Sequence, residues 1–158
     1  MNTPQTDTHF IDEFCSKHGA CITGYLWATE HCNSMQEVWE KAKPEWLIWV
    51  ATRKGVLTDN ELRRFAVWSA RQVQHLMADP RSIAALDVAE RHANGQATDE
   101  ELAAARAAGC DAAHAASHAA SHAAACAVAR AAGCAAAYDA ALDAQAEWLR
   151  KNTTPNFN

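Results

Sequence analysis

Between Ala103 and Ala146 the chain is mostly alanine. Alanine has the best helix propensity and no side-chain rotamers to lose, so the tract makes helix almost regardless of its surroundings. A single helix from Asp99 to Arg150 would run about 78 Å at 1.5 Å per residue, longer than a domain of this size. The reading is therefore a break near Gly109 or Gly133, or a projection covered by a second subunit. Alanine faces bury little area but let helix axes approach closely. The tract is then either enclosed by the Trp-rich helices or paired with itself in a homo-oligomer, with Val128, Tyr138, Leu142, Trp148 and Leu149 as larger knobs toward its end. An internal echo runs through it, since Ala105-Arg106-Ala107-Ala108-Gly109-Cys110 returns as Ala129-Arg130-Ala131-Ala132-Gly133-Cys134.

The rest of the chain is punctuated for helices. Ser34 with Glu37, Thr58 with Glu61 and Thr98 with Glu101 have capping-box spacing, in which each side chain satisfies an orphan amide of the other. Asp79-Pro80 marks a further start, with proline at a position where its missing donor is harmless, and Gly19, Gly55 and Gly95 mark stops. The spacing predicts helices over 7–18, 20–31, 35–42, 45–53, 59–77, 80–93 and 99–150, and no stretch alternates long enough for a strand. Leu62, Phe65, Val73, Leu76 and either Trp68 or Ala66 share the expected inward face of the fifth helix. Ile83, Leu86 and Ala89 do so for the sixth. The short fourth helix, with Leu47, Ile48, Val50 and the rings of Trp46 and Trp49, is apolar nearly all round and should be central. The expected fold is all-α, a compact multi-helix bundle with a long Ala-rich C-terminal helix or kinked helix pair. One domain over 1–150 and a disordered tail over 151–158 follow from the length of 158 residues.

Charge narrows the partners. A net charge of -5 with 21% charged residues suits solubility rather than phosphate backbones. Nucleic acid is disfavoured, and Arg63, Arg64 and Arg71 form only a local basic patch. The start has no basic region followed by an apolar run, and polar residues interrupt the alanine tract every few positions, so neither a secretory signal nor a membrane span is expected. Without a signal, the six cysteines read as free thiols in a cytoplasmic protein.

Cys110, His114, His118, His122 and Cys126 recur every four residues. Each such step advances about 400° around a helix, so the stripe drifts about 40° per step and cannot serve one ion. His118 with His114 or His122 could share a zinc or nickel ion given a third ligand from elsewhere. Otherwise His114 and His118 address a ligand or partner, and plain helix-surface or seam histidines are the leading reading. Cys15, His18 and Cys21, with His31 and Cys32 nearby, offer a second metal-ligating set, although they lack a Cys-x(2–4)-Cys knuckle. Buried thiols serving as small hydrophobes explain them better. No nucleophile signature, His-Glu-x-x-His, Walker loop or Gly-x-Gly-x-x-Gly is present, so catalysis is disfavoured, and a metal ion such as zinc is the one cofactor left in view. Six tryptophans against four phenylalanines and two tyrosines are a surplus, and tryptophan is enriched in binding hot spots. Trp39, Trp46 and Trp49 sit on helices with few turns in which to hide three indoles, so they are the candidates for a partner or pocket, with core packing an alternative of at least equal weight for each.

Leu62-Arg63-Arg64-Phe65, Trp68 to Leu76, Asp79-Pro80-Arg81-Ser82, Ala85, Ala89-Glu90-Arg91 and Ala93-Asn94-Gly95, leading to Glu100-Glu101-Leu102, carry a resemblance. This part of the chain, over about 60–150, resembles a loosely defined bacterial and prophage group of alanine-rich helical proteins, some of them labelled immunity proteins of polymorphic-toxin systems. That group often has Gly-His where this chain has Gly133-Cys134, and another histidine where Asp139 or its neighbours fall. The resemblance implies a small cytoplasmic binder that neutralises a toxin or another defence component by stoichiometric binding. The alternatives are a phage counter-defence protein that sequesters a nucleotide-type ligand, with His114, His118 and the arginines addressing its phosphates, and a metal-binding enzyme or sensor.

Overall fold

A computed structural model describes residues 8–72, 74–76, 79–109 and 131–157. The chain is all-α; among the described residues the only extended pairing is an isolated bridge between Lys54 and Leu57. The helices are α1 Thr8–His18, α2 Ile22–His31, α3 Met35–Lys41, α4 Pro44–Ala51, α5 Asp59–Gln72, α6 Pro80–Ala93, α7 over 99–109 and α8 Ala131–Asn152, with a 3₁₀ turn at Gln74–Leu76. Two compact units are formed, the first within residues 1–58 and 141–158, the second within 59–140.

The local signals place the helix ends. Thr98 and Glu101 form the full capping box: the Glu101 amide donates to Thr98 Oγ1 at 3.2 Å and the Thr98 amide to Glu101 Oε2 at 2.8 Å. Ser34 caps α3 through the Glu37 amide at 3.2 Å, but Glu37 reaches back to the amide of Asn33, one residue earlier than a capping box requires. Asp79 accepts from the Arg81 amide at 2.8 Å with Pro80 opening α6. Gly95 (φ 72°) ends α6 in a Schellman motif, its amide donating to His92 and that of Gln96 to Arg91. α2 starts two residues later than expected because Cys21 is extended, and α5 ends at Gln72 instead of continuing to 77.

Among the described residues most of the buried side chains belong to the first unit. Ile11, Leu47 and Leu149 are fully buried, and Val38, Trp39, Val50, Val56 and Ala146 are nearly so. α4 is central as expected, burying Leu47, Val50 and Ala51. Residues 153–157, expected to be disordered, are held instead. The Asn156 amide donates to the Val56 carbonyl at 2.8 Å, and the Phe157 ring lies 6.2 Å from both Phe14 and Trp39. A terminal phenyl next to a buried indole gains more from burial than the short tail loses in freedom.

In the second unit α5 packs on α6. Val67 is the buried residue of α5, whereas Leu62, Phe65 and Trp68 of the expected inward face are half-buried and Ala66 is exposed; Val73 and the Leu76 side chain lie outside what is described. Leu86 and Ala93 of α6 and Leu102 of α7 complete this core. Ala84, Ala85 and Val88 face Ala104, Ala105 and Ala108 across a shallow groove, a seam of small residues. A Cβ on Gly109 would meet the Ala85 Cβ at 3.4 Å.

Gly109 and Gly133 both lie in helical segments. Residues 110–130, which adjoin both and on which the expected break near Gly109 or Gly133 bears, lie outside the described residues.

Candidate functional site

The first unit contains an apolar pocket of about 330 Å³. Its walls come from four helices. α2 presents Gly24, Trp27 and Ala28, α4 presents Glu45, Trp46 and Trp49, α1 contributes Phe14 and Cys15, and α3 contributes Met35 and Val38. The Trp27 and Trp46 rings are 5.3 Å apart and tilted, and Phe14 meets Trp49 edge-on at 6.2 Å.

Each pocket indole is held by a basic neighbour one helical turn away. The His31 ring stacks on Trp27 at 5.6 Å, Lys43 Nζ sits 4.5 Å from the Trp46 ring, and the Arg53 guanidinium 4.8 Å from the Trp49 ring. Hydrogen bonds tie two of these neighbours further, His31 Nδ1 pairing with the Trp27 carbonyl and Arg53 Nε donating to the Trp49 carbonyl, both at 3.0 Å. The aromatic walls are therefore fixed before anything binds. Gly24 makes room for them: a Cβ there would stand 3.3 Å from Cys21 Sγ and 3.5 Å from Trp46 Nε1.

Two thiols line the same pocket in opposite states. Cys15 is half-buried, and burial, with Asp12 and Cys21 nearby, pushes its pKa up. Cys21 is exposed at the N-cap of α2; hydrogen bonds from the Thr23 hydroxyl and the Gly24 amide stabilise its thiolate and push its pKa down. Cys32 is buried, which raises its pKa.

The structure sorts the residues singled out from sequence. Trp46 and Trp49 line the pocket. Trp39 does not: it is 3% exposed and belongs to the core, where it has no surface to offer a partner. Trp27 takes the third place. The available signal was Gly24, a glycine inside a helix, which reads as a close approach. Arg71 is no free cation, because its guanidinium bridges α5 to α6, donating to Asp87 Oδ1 at 2.8 Å and to Glu90. Arg64 is exposed and Arg63 half-buried, and neither lines the pocket. His114, His118 and His122 lie outside the described residues. Among the described residues no group of three His, Cys, Asp or Glu is placed to hold a metal ion, so Cys15, His18 and Cys21 are not gathered as ligands. No helix among them is long and apolar enough to cross a membrane.

Comparison with protein-family models, curated proteins and solved structures finds no match.

Proposed function

We propose that the chain is a protein-binding module that acts by stoichiometric binding, with the pocket of Trp27, Trp46 and Trp49 as the seat for an apolar anchor side chain of its partner. The observation that carries this reading is a set of indole walls fixed in advance by His31, Lys43 and Arg53. Preformed aromatic pockets lose little freedom on binding, and interface hot spots are enriched in tryptophan. Ile22 and Leu26, on the opposite side of α2 from Gly24, are 66% and 54% exposed and offer a further apolar surface to a partner. The resemblance to alanine-rich immunity proteins makes a toxin or another defence component the partner class to test first. Homo-oligomerisation through the alanine tract belongs to the same proposal.

The test is affinity capture from the native host at physiological salt, with the wild type and the Trp46→Ala and Trp49→Ala variants compared after circular dichroism shows them folded. The expected result is a stoichiometric partner whose affinity falls at least about 10-fold in either variant, the scale of a hot-spot truncation. A wild type that retains no protein, or a partner held equally by both variants, overturns the reading.

A further inference from the structure

A second cavity of the first unit, about 320 Å³, has a different character. One wall is a single face of α1, where Phe10, Glu13, Phe14, Lys17 and His18 follow at i, i+3, i+4, i+7 and i+8. The facing wall is the turn of Lys54 to Val56 with Asn156 and Phe157 of the tail. Phe14 and Phe157 meet edge-on at 6.2 Å, and Phe10 is 56% exposed.

We propose that this cavity binds a small aromatic anion, a carboxylate or phosphate on a flat apolar group, with the charge at Lys17, His18 and Lys54 and the apolar part against Phe10, Phe14 and Phe157. The charge balance carries the argument. In a chain of net charge -5, Lys17, His18 and Lys54 converge on a cavity whose lining includes one carboxylate, Glu13. Arg53 lies close enough to help hold the His18 pKa down, after burial and Lys17. Neither Lys17, Lys54 nor Arg53 makes an ion pair among the described residues. The C-terminal end of α1 accounts for only part of this charge, since a helix end carries about half an elementary charge, which Lys17 alone offsets. Lys54 and Arg53 come from another segment and remain in excess. An anion removes the repulsion among the basic groups, and its flat apolar part covers a phenyl that now faces water.

This cavity shares Phe14 and Met35 with the partner pocket but none of its tryptophans. It is tested on the full chain by titration with phenyl phosphate and phenylacetate, against inorganic phosphate and benzyl alcohol, while the His18 imidazole is followed by NMR. The expected result is saturable binding of at least one aromatic anion, at least 10-fold tighter than either control, with an upward shift of the His18 pKa. Lys54→Ala, distant from the α1 dipole, should weaken binding at least 5-fold, and Glu13→Gln should tighten it. Binding of inorganic phosphate as tight as that of the aromatic anions, affinity unchanged in Lys54→Ala, or no saturable binding at millimolar concentration overturns it. Trp46→Ala should leave this binding unchanged, so failure here and failure of the partner reading are distinguishable.

Discussion

Arg150 donates from Nε to the Trp39 carbonyl at 3.1 Å and from Nη2 to the Ala42 carbonyl at 2.6 Å, closing the C-terminal end of α3 with a side chain of α8. α3 has seven residues, too few to be stable alone, and its last carbonyls lack partners within the helix. A guanidinium there satisfies two of them and opposes the negative end of the helix dipole. The same turn of α8 buries Leu149 against the core.

Arg150→Met should destabilise the first unit by about 2 kcal/mol, the scale of charge-assisted hydrogen bonds to partly buried carbonyls. Arg150→Lys should recover less than half of that, because an ammonium lacks the planar fork that reaches both oxygens. Urea unfolding followed by tryptophan fluorescence reads both variants, and an unchanged midpoint in Arg150→Met would contradict the role.

Leu149 is fully buried, whereas Leu142, two turns earlier, is half-buried. Leu149→Ala should cost about 2–5 kcal/mol through lost transfer energy and a residual cavity, and Leu142→Ala less than half as much. Comparison of the two unfolding midpoints tests whether α8 presents the face described.

Thr98→Ala removes one half of the capping box before α7 and should cost about 1 kcal/mol. Amide exchange at Glu101 should accelerate in this variant, because its donor then has no side-chain acceptor. Unaltered protection at Glu101 would mean that the cap is replaced by another group.

Alkylation by iodoacetamide near neutral pH should reach Cys21 before Cys15 and Cys32. Its thiol is exposed and its pKa lowered, while burial raises the other two. Thr23→Ala should slow the Cys21 reaction by removing the 3.4 Å hydroxyl contact. Peptide mapping of the adducts gives the order.

Asp79 caps α6 and pairs with Arg81, whose side-chain and backbone hydrogen bonds hold the carboxyl below its ordinary pKa. A carboxyl lowered in the native state stabilises it fully above the ordinary value and loses that contribution as pH falls through the lowered one. The start of α6 should therefore fray in acid. Asp79→Asn keeps an acceptor for the Arg81 amide but cannot titrate, so amide exchange at Arg81 should lose this pH dependence.

Legibility from sequence followed the range of the interaction. The capping box at Thr98, the cap at Asp79 and the stops at Gly19 and Gly95 were readable because their hydrogen bonds close within about five residues. Trp39 and Trp46 were not separable, since both lie on short helices and only the packing of α8 and Phe157 puts one in the core and leaves the other beside Gly24. Arg71 read as part of a basic patch because Asp87 and Glu90, which engage its charge, lie on the next helix.

Helix content was decided by the sequence itself: alanine propensity, caps and glycine stops act through the backbone of neighbouring residues, and their outcome barely depends on what surrounds them. Tertiary structure alone decided which indoles line a pocket, which cations stay unpaired and whether the tail is held. Burial and ion pairing depend on the relative phase of helices and on contacts as distant in sequence as Arg150 and Trp39, and no local rule sums over those.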